Sequence, residues 1–398
     1  MTDTCDILIS GGGIAGLTAA AAFGTAGFSV ICVDPTPPVT DGTSEGSDLR
    51  STAMLQPARA LLDRAGLWEA LASDAAPLQV MRIIDAGGAD PEPRVTREFD
   101  AAEISDLPFG WNFPNWLLRR ELMVRLDALD NVDFRPGIGT RGLFTREGSA
   151  KATLSDDSTV RAKLVIAADG RNSLMRAAAG IPVSTQRYGQ KALVFAVTHP
   201  IPHDNVSTEV HRTGGPFTLV PLPDRDGMPC SAVVWMDDGR LAQDRLEMDE
   251  EAFEAEASIR STYHFGPLTL ASRRQLWPII TQHAARLNGE RVALIAEAAH
   301  VMPPIGAQGL NMSLTDITTL LDLAEARPEG LGDAAMLEAY HKARYGDITL
   351  RVRGIDLLNR ASQASSSIAR DARAAGLTAL YSARPVRKML MQMGLGMR

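Results

Sequence analysis

The chain has little cysteine: Cys5, Cys32 and Cys230 are its only three among 398 residues. Each lies in an apolar, strand-like run, and no Cys-x-x-Cys pair occurs. That excludes a disulfide framework and a zinc finger, and reads as buried thiols in a reducing, cytoplasmic compartment. Long hydrophobic runs are lacking too. No apolar stretch reaches about 18 residues, the length a membrane-spanning helix needs. The start does not read as a signal or transit peptide, because Asp3 and Asp6 lead straight into the strand-like "CDILIS". There is no repeat of fixed period, and no nucleic-acid partner is expected. What is present is a globular composition, 45% hydrophobic and 22% charged. The length suits two domains.

The net charge of −8 is unevenly spread. From His341 to Arg398 there are 11 Lys and Arg against 3 Asp and Glu, a net of +8, which leaves −16 on the rest. A basic end on an acidic body fits an anionic partner or surface, or arginines that pair with that body.

"CDILISGGGIAGLTAAAAFGTAGFSVICVD" reads strand, glycine turn, helix, strand. A Pro/Gly/Ser-rich loop follows, Thr36 to Arg50. Next comes a helical stretch with Pro57 near its start. Trp116 to Leu129 is an amphipathic helix whose Leu118, Leu122 and Leu126 share a face. "KATLSDDSTVRAKLVIAADG" reads as paired strands ending at Asp169 and Gly170. From Lys191 to Met236 the pattern turns β-rich, with Pro/Gly turns, and helical spacing returns after Leu310. The fold expected is α/β: a doubly wound, Rossmann-like nucleotide-binding domain, a β-sheet-rich insert and a helical C-terminal tail.

Three strands end alike. The first meets Gly11-Gly12-Gly13-Ile14-Ala15-Gly16, a G-x-G-x-x-G. Gly11 permits the turn, Gly13 lets a pyrophosphate approach, and Gly16 lets helix and strand pack. Asp34, 23 residues after Gly11, stands where an acid binds adenosine ribose. The second strand ends at Asp169-Gly170. The third ends at Glu297 in "LIAEAAHVMPPIGAQGLN". Three such ends at one sheet edge make a shared cofactor crevice. A metal site at Glu297 and His300 is the rival reading of that segment. It lacks the three or four converging ligands a metal needs. His199, His203 and His211 lie in the β-rich region, away from it.

These motifs, in this order and over nearly the whole chain, resemble the flavin-dependent aromatic hydroxylases, the group of 4-hydroxybenzoate hydroxylase. "DLRSTAMLQPARALLDRAGLWEAL", "FGPLTLASRRQLWPI" and "PPIGAQGLNMSLTDI" look most like the ubiquinone-biosynthesis hydroxylases. The resemblance implies an FAD-binding domain at 1–75, 100–180 and 285–350. It implies a substrate domain at 76–99 and 181–284 and a helical segment at 351–398. Gly11, Gly13, Gly16 and Asp34 would hold the ADP half of FAD. Arg50 and Arg119 would contact the cofactor, and Asp169 would touch FAD and NAD(P)H. Glu297 would bond the ribityl chain. Pro304 would line the flavin face, and the backbone of Gly309, Leu310 and Asn311 would reach the flavin O2 edge. No side chain is assigned as acid–base catalyst. The implied reaction is reduction of FAD by NAD(P)H, addition of O2 at flavin C4a, and hydroxylation of an aromatic ring. The substrate implied is a polyprenyl phenol or quinol precursor of ubiquinone.

One departure stands out. The family's Gly-Asp is Ala296-Glu297 here, which puts a methyl on the turn and lengthens the acid. That and the basic tail keep open a catalytically silent scaffold of a biosynthetic complex, and a hydroxylase of a small soluble aromatic is a second alternative. Phe217, Leu219 and Trp235 are candidate substrate lining, with ordinary sheet core the favoured alternative for each. The Met/Leu/Arg-rich "ARPVRKMLMQMGLGMR" is a candidate for peripheral contact with the inner face of the cytoplasmic membrane, or with a partner. His300 is expected to bond backbone near the flavin turn.

Overall fold

The computed structural model describes residues 2–87, 92–363 and 367–396. Its first sheet has a parallel core built from apolar runs buried on both faces. The strand Thr2–Ser10 pairs in parallel with Val30–Asp34 on one side and Thr159–Ala167 on the other. Val132–Pro136 extends the sheet beyond Val30–Asp34, and Val292–Leu294 extends it beyond Thr159–Ala167. Ile7, Leu8, Ile9, Leu164, Val165 and Ile166 are fully enclosed. The helix Ile14–Thr25 is alanine-rich and buried along nearly its whole length, so it packs closely against the sheet. The helix Asn115–Asp127 buries Leu118, Leu122 and Leu126, the face expected from their spacing. Gln56–Arg64 carries Pro57 in its first turn, where a missing N–H costs nothing.

The second sheet runs from His300–Val301 through Gln275–Ala284, Val183–Thr198, Met228–Asp238, Pro216–Arg225 and Val206–His211 to Val80–Asp85 and Val95–Asp100. It is antiparallel except where Val206–His211 meets Val80–Asp85. Its two faces differ. Leu193, Phe195, Phe217, Leu219, Val233 and Trp235 form one core with Phe253 and Ala257 of the helix Glu250–Arg260. On the other face Ala192, Met236 and Ile279 cluster with Tyr188, Val234 and Ile305. Phe217, Leu219 and Trp235 are therefore sheet core beneath a helix. Ile305 comes from the Pro-Pro turn, so the opposite face is the one turned to the first domain.

A third sheet, Ser51–Leu55, Gly110–Pro114 and Ala76–Leu78, lies between the two. Asn112 ties it to the second by donating to the Pro221 carbonyl at 2.9 Å. The C-terminal region is helical: Ala334–Ser362, Ser367–Ser382 and Arg384–Leu395. Its last two helices reach the second sheet and the loop beside it. Tyr381 meets Phe99 edge to face at 5.6 Å, and Arg387 pairs with Glu103 at 2.6 Å. No described helix is long and apolar enough to cross a membrane.

Candidate functional site

The three strand-end turns meet at one edge of the parallel sheet. The Ala168 N–H donates to the Ser10 carbonyl at 2.7 Å, and the Ile295 N–H to the Ala167 carbonyl at 3.0 Å. Gly11 has φ +111°, and a Cβ there would stand 2.3 Å from the Ala168 oxygen. A Cβ on Gly16 would stand 1.8 Å from the Gly11 oxygen. Both are forced by close packing of backbone. Gly13 differs: nothing lies within 4 Å of its Cβ position. Its bare backbone opens the helix N-terminus to a ligand. The Asp34 carboxylate accepts from the Gly12 N–H at 2.6 Å and the Thr36 N–H at 2.8 Å.

Asp169 accepts from the Ser173 hydroxyl at 2.5 Å and from the Met175 N–H at 3.0 Å. It thus organises the turn that leads into Leu174–Ala178. Arg171, from the same turn, reaches Glu297 at 3.4 Å. Glu297 also faces Arg50 electrostatically. So the structure brings the Asp-Gly turn, the Ala-Glu turn and Arg50 together. Ala296 has φ +53°, a left-handed conformation that suits glycine.

Arg50 and Arg119 share a partner that sequence reasoning did not single out. Asp48 is buried, and its carboxylate accepts from Arg50 Nε and Nη2, both at 2.8 Å. Asn115 Nδ2 adds a bond at 3.0 Å and Arg119 Nη2 one at 3.4 Å. Burial pushes the Asp48 carboxyl up. Arg50, then Asn115 and Arg119, outweigh it and hold the group below the usual carboxylate range. Burial likewise works against the Arg50 charge, yet Asp48 and Glu297 hold that guanidinium above its ordinary value. The signal that could have found Asp48 is local. It stands two residues before Arg50, and Asn115 and Arg119 are spaced i, i+4 on one helix face.

The Pro-Pro turn completes the site. Pro304 is exposed while Pro303 is buried. Gly306 and Ala307 follow, both in left-handed backbone, and the helix Gln308–Ala326 starts without a side-chain cap. No atom lies within 4 Å of a Cβ built on Gly309. Asn311 has a second role beside its backbone. Its amide donates to Ala53 and Ala307 carbonyls, each at 2.7 Å, and its oxygen accepts from the Leu55 N–H at 2.9 Å. That clamps the helix start and neighbouring Leu310 onto the third sheet. His300 does not bond backbone as expected. Its Nε2 is 2.7 Å from Asp316, whose other oxygen accepts from Arg344 at 2.8 Å. The pairing follows from burial: all three side chains are enclosed, and the Asp316 carboxylate is held by partners on both sides. Among the described residues no group of three His, Cys, Asp or Glu is placed to hold a metal ion.

The family model for the FAD binding domain matches residues 4–349. The chain belongs to that family. Bare backbone at Gly13 and Gly309, each at a helix start, fits a long cofactor bound at the strand ends. Ubiquinone hydroxylase UbiL of Rhodospirillum rubrum is 32% identical, over 98% of this chain and 89% of that protein. The 3-demethoxyubiquinol 3-hydroxylase of Escherichia coli is 26% identical over 98% of each. Among solved structures, p-nitrophenol 4-monooxygenase PnpA from Pseudomonas putida DLL-E4 shares the fold. Its TM-score is 0.80 at 20% identity, over 100% of this chain and 99% of that one.

Proposed function

We propose that this FAD-binding-domain protein is an FAD-dependent hydroxylase. It takes electrons from NAD(P)H and puts one oxygen atom of O2 on the ring of a polyprenyl phenol or quinol precursor of ubiquinone. The observation that carries the reading is the crevice itself: three turns at one sheet edge, an uncapped helix start, and a second sheet whose apolar face meets the Pro-Pro turn. The curated relatives, matched along nearly their whole length, supply the substrate class.

The chemistry supplied by bound FAD is transfer of electrons from NAD(P)H to O2 and of one oxygen atom to the ring. The protein's part is placement. Gly13 leaves room for the pyrophosphate at the start of Ile14–Thr25, and Gly11 and Gly16 hold that turn in place. Asp34 serves the adenosine ribose, Arg50 and Arg119 the cofactor's charged middle, and Asp169 the cofactor and NAD(P)H. Glu297 turns from Arg171 to the ribityl chain. The N–H groups of Gly309, Leu310 and Asn311 would stabilise the negative charge that develops on the ring. Pro304 offers no N–H and little motion, so it makes a dry wall. Val194, Thr218 and Val234 are cross-strand neighbours on the sheet face opposite the helix-covered core. With Ile305 they form an apolar seat for a prenylated ring.

The basic tail fits the same substrate. In Arg384–Leu395 the residues Met391 and Leu395 face inward. Val386, Met389, Leu390 and Met393 are exposed at i, i+3, i+4 and i+7, a stripe along one face. Exposed Arg384 and half-buried Lys388 lie on the same helix. We read this face as a peripheral contact with anionic lipid, in which a polyprenyl substrate dissolves.

Two experiments test the reading. Deletion in the native host, with the accumulated quinone precursor identified, is expected to show a ring lacking one hydroxyl. Unchanged quinone and no accumulated precursor overturns the substrate. Protein that purifies colourless and takes up no added FAD overturns the enzyme.

A further inference from the structure

The loop from Thr36 to Arg50 ends in a buried carboxylate between two guanidiniums. Asp48 is 5% exposed. Besides its four side-chain bonds, it accepts from the Arg50 N–H at 3.1 Å. A buried carboxylate is costly unless its partners are well placed. Here they are held from several sides. The Thr52 hydroxyl donates to Asn115 Oδ1 at 2.8 Å, which turns the Asn115 amide toward Asp48. The Asn115 N–H donates to the Arg50 carbonyl at 2.9 Å. From the second sheet, Gln275 bridges the Leu49 N–H at 3.2 Å and the Ser47 carbonyl at 2.7 Å. Trp277, two residues along the same strand, lies under the Arg50 guanidinium at 4.1 Å.

Gln275 and Ser47 already hold the loop, so Asp48 is not needed as a loop tether. What it does alone is charge. Two guanidiniums that converge without it would repel and present +2; with it they present +1. We propose that Asp48 is a positioning residue that locks Arg50 and Arg119 into one paired group and sets how much positive charge the crevice wall presents to bound flavin. The proposal rests on the FAD reading above. Reduced flavin carries negative charge, so a more positive wall favours it.

The test is the midpoint potential of bound FAD, read by spectroscopic redox titration beside the FAD dissociation constant. Asp48→Asn is expected to favour the reduced form at a fixed poise by about tenfold, which is about 30 mV for a two-electron couple. Arg119→Gln is expected to shift the ratio the other way. The double variant, whose net charge equals that of the wild type, is expected to return near the wild-type potential. A purely structural Asp48 would lower affinity and stability and leave the potential where it was, and recovery in the double variant would not occur. Either result overturns the proposal. If Asp48→Asn alone does not fold, Arg119→Gln and the double variant still decide it. Wild-type protein that binds no FAD overturns the FAD reading and the proposal together. Wild-type protein that binds FAD, with an unchanged potential in the variants, overturns the proposal alone.

Discussion

Arg171 Nε stands 3.4 Å from Glu297 Oε2, joining the turn of the second strand end to that of the third. Glu297 is 43% exposed, so the pair is long and solvated and contributes little stability, about 0–1 kcal/mol. A carboxylate so loosely held turns to a cofactor hydroxyl at small cost. Glu297→Ala is expected to weaken FAD binding by about 1.5–3 kcal/mol, the worth of a hydrogen bond to a charged group. That is roughly a ten- to hundredfold rise in Kd, read by flavin fluorescence titration. Glu297→Asp is expected to keep the cofactor. An unchanged Kd in Glu297→Ala removes the ribityl role.

Ala296, just before it, holds φ +53°. Left-handed backbone costs a residue with a Cβ about 1–2 kcal/mol, and glycine escapes that while losing about 0.5–1 kcal/mol of chain entropy. Ala296→Gly is therefore expected to stabilise the protein by roughly 0.5–1 kcal/mol. Ala296→Val, β-branched in the same conformation, is expected to destabilise it. Urea unfolding of the cofactor-free chain checks both. A glycine variant that unfolds earlier than the wild type would show that the methyl is supported by its surroundings.

The parallel sheet and its three turns were legible because each is a local pattern: an apolar run, then glycine or an acid, then a helix. Leu118, Leu122 and Leu126 share a face for the same reason. Asp48 was only half legible: it stands two residues before Arg50, but Asn115 and Arg119, which complete its role, are 67 and 71 residues away. For Phe217, Leu219 and Trp235 the sequence left substrate lining and ordinary sheet core both open. Alternation tells which residues of a strand lie together, but only the helix Glu250–Arg260 decides which face becomes core. The His300 partner was missed likewise: Asp316 and Arg344 belong to two later helices, and burial of all three forces the pairing.

Histidine burial makes stability depend on pH. His199 is enclosed; its Nδ1 lies 2.8 Å from the Ile201 carbonyl and its Nε2 2.9 Å from the Ser231 hydroxyl. One ring proton satisfies both bonds, Nδ1–H donating and Nε2 accepting, so the neutral form fits. Burial depresses its pKa, against the pull of the Ile201 bond, and burial also depresses His264, His283 and His341. A depressed histidine is neutral in the folded state while the unfolded chain takes up protons. Its contribution is then complete above the unfolded value, about 6.5, and is lost as pH falls through it toward the folded value. Urea midpoints are expected to fall between about pH 7.5 and pH 5.5. His199→Gln is expected to be less stable at neutral pH yet to show a shallower fall. An equal slope in the variant would assign the effect to the other three.

Two glycines of one motif are expected to fail differently. A Cβ on Gly16 would stand 1.8 Å from the Gly11 carbonyl oxygen, which is backbone and cannot swing aside. Gly16→Ala is expected to cost the fold about 3 kcal/mol or more, with or without FAD. Gly13 has φ −69°, which alanine accepts, and no atom within 4 Å of its Cβ position. Gly13→Ala is expected to leave the cofactor-free protein within about 1 kcal/mol of the wild type. Its methyl instead points into the space assigned to the pyrophosphate, so FAD affinity is expected to fall by at least about tenfold, or 1.4 kcal/mol. Thermal unfolding without FAD and flavin titration with it separate the two effects. If Gly13→Ala binds FAD as the wild type does, the pyrophosphate does not cross there, and the cofactor must enter the crevice by another edge.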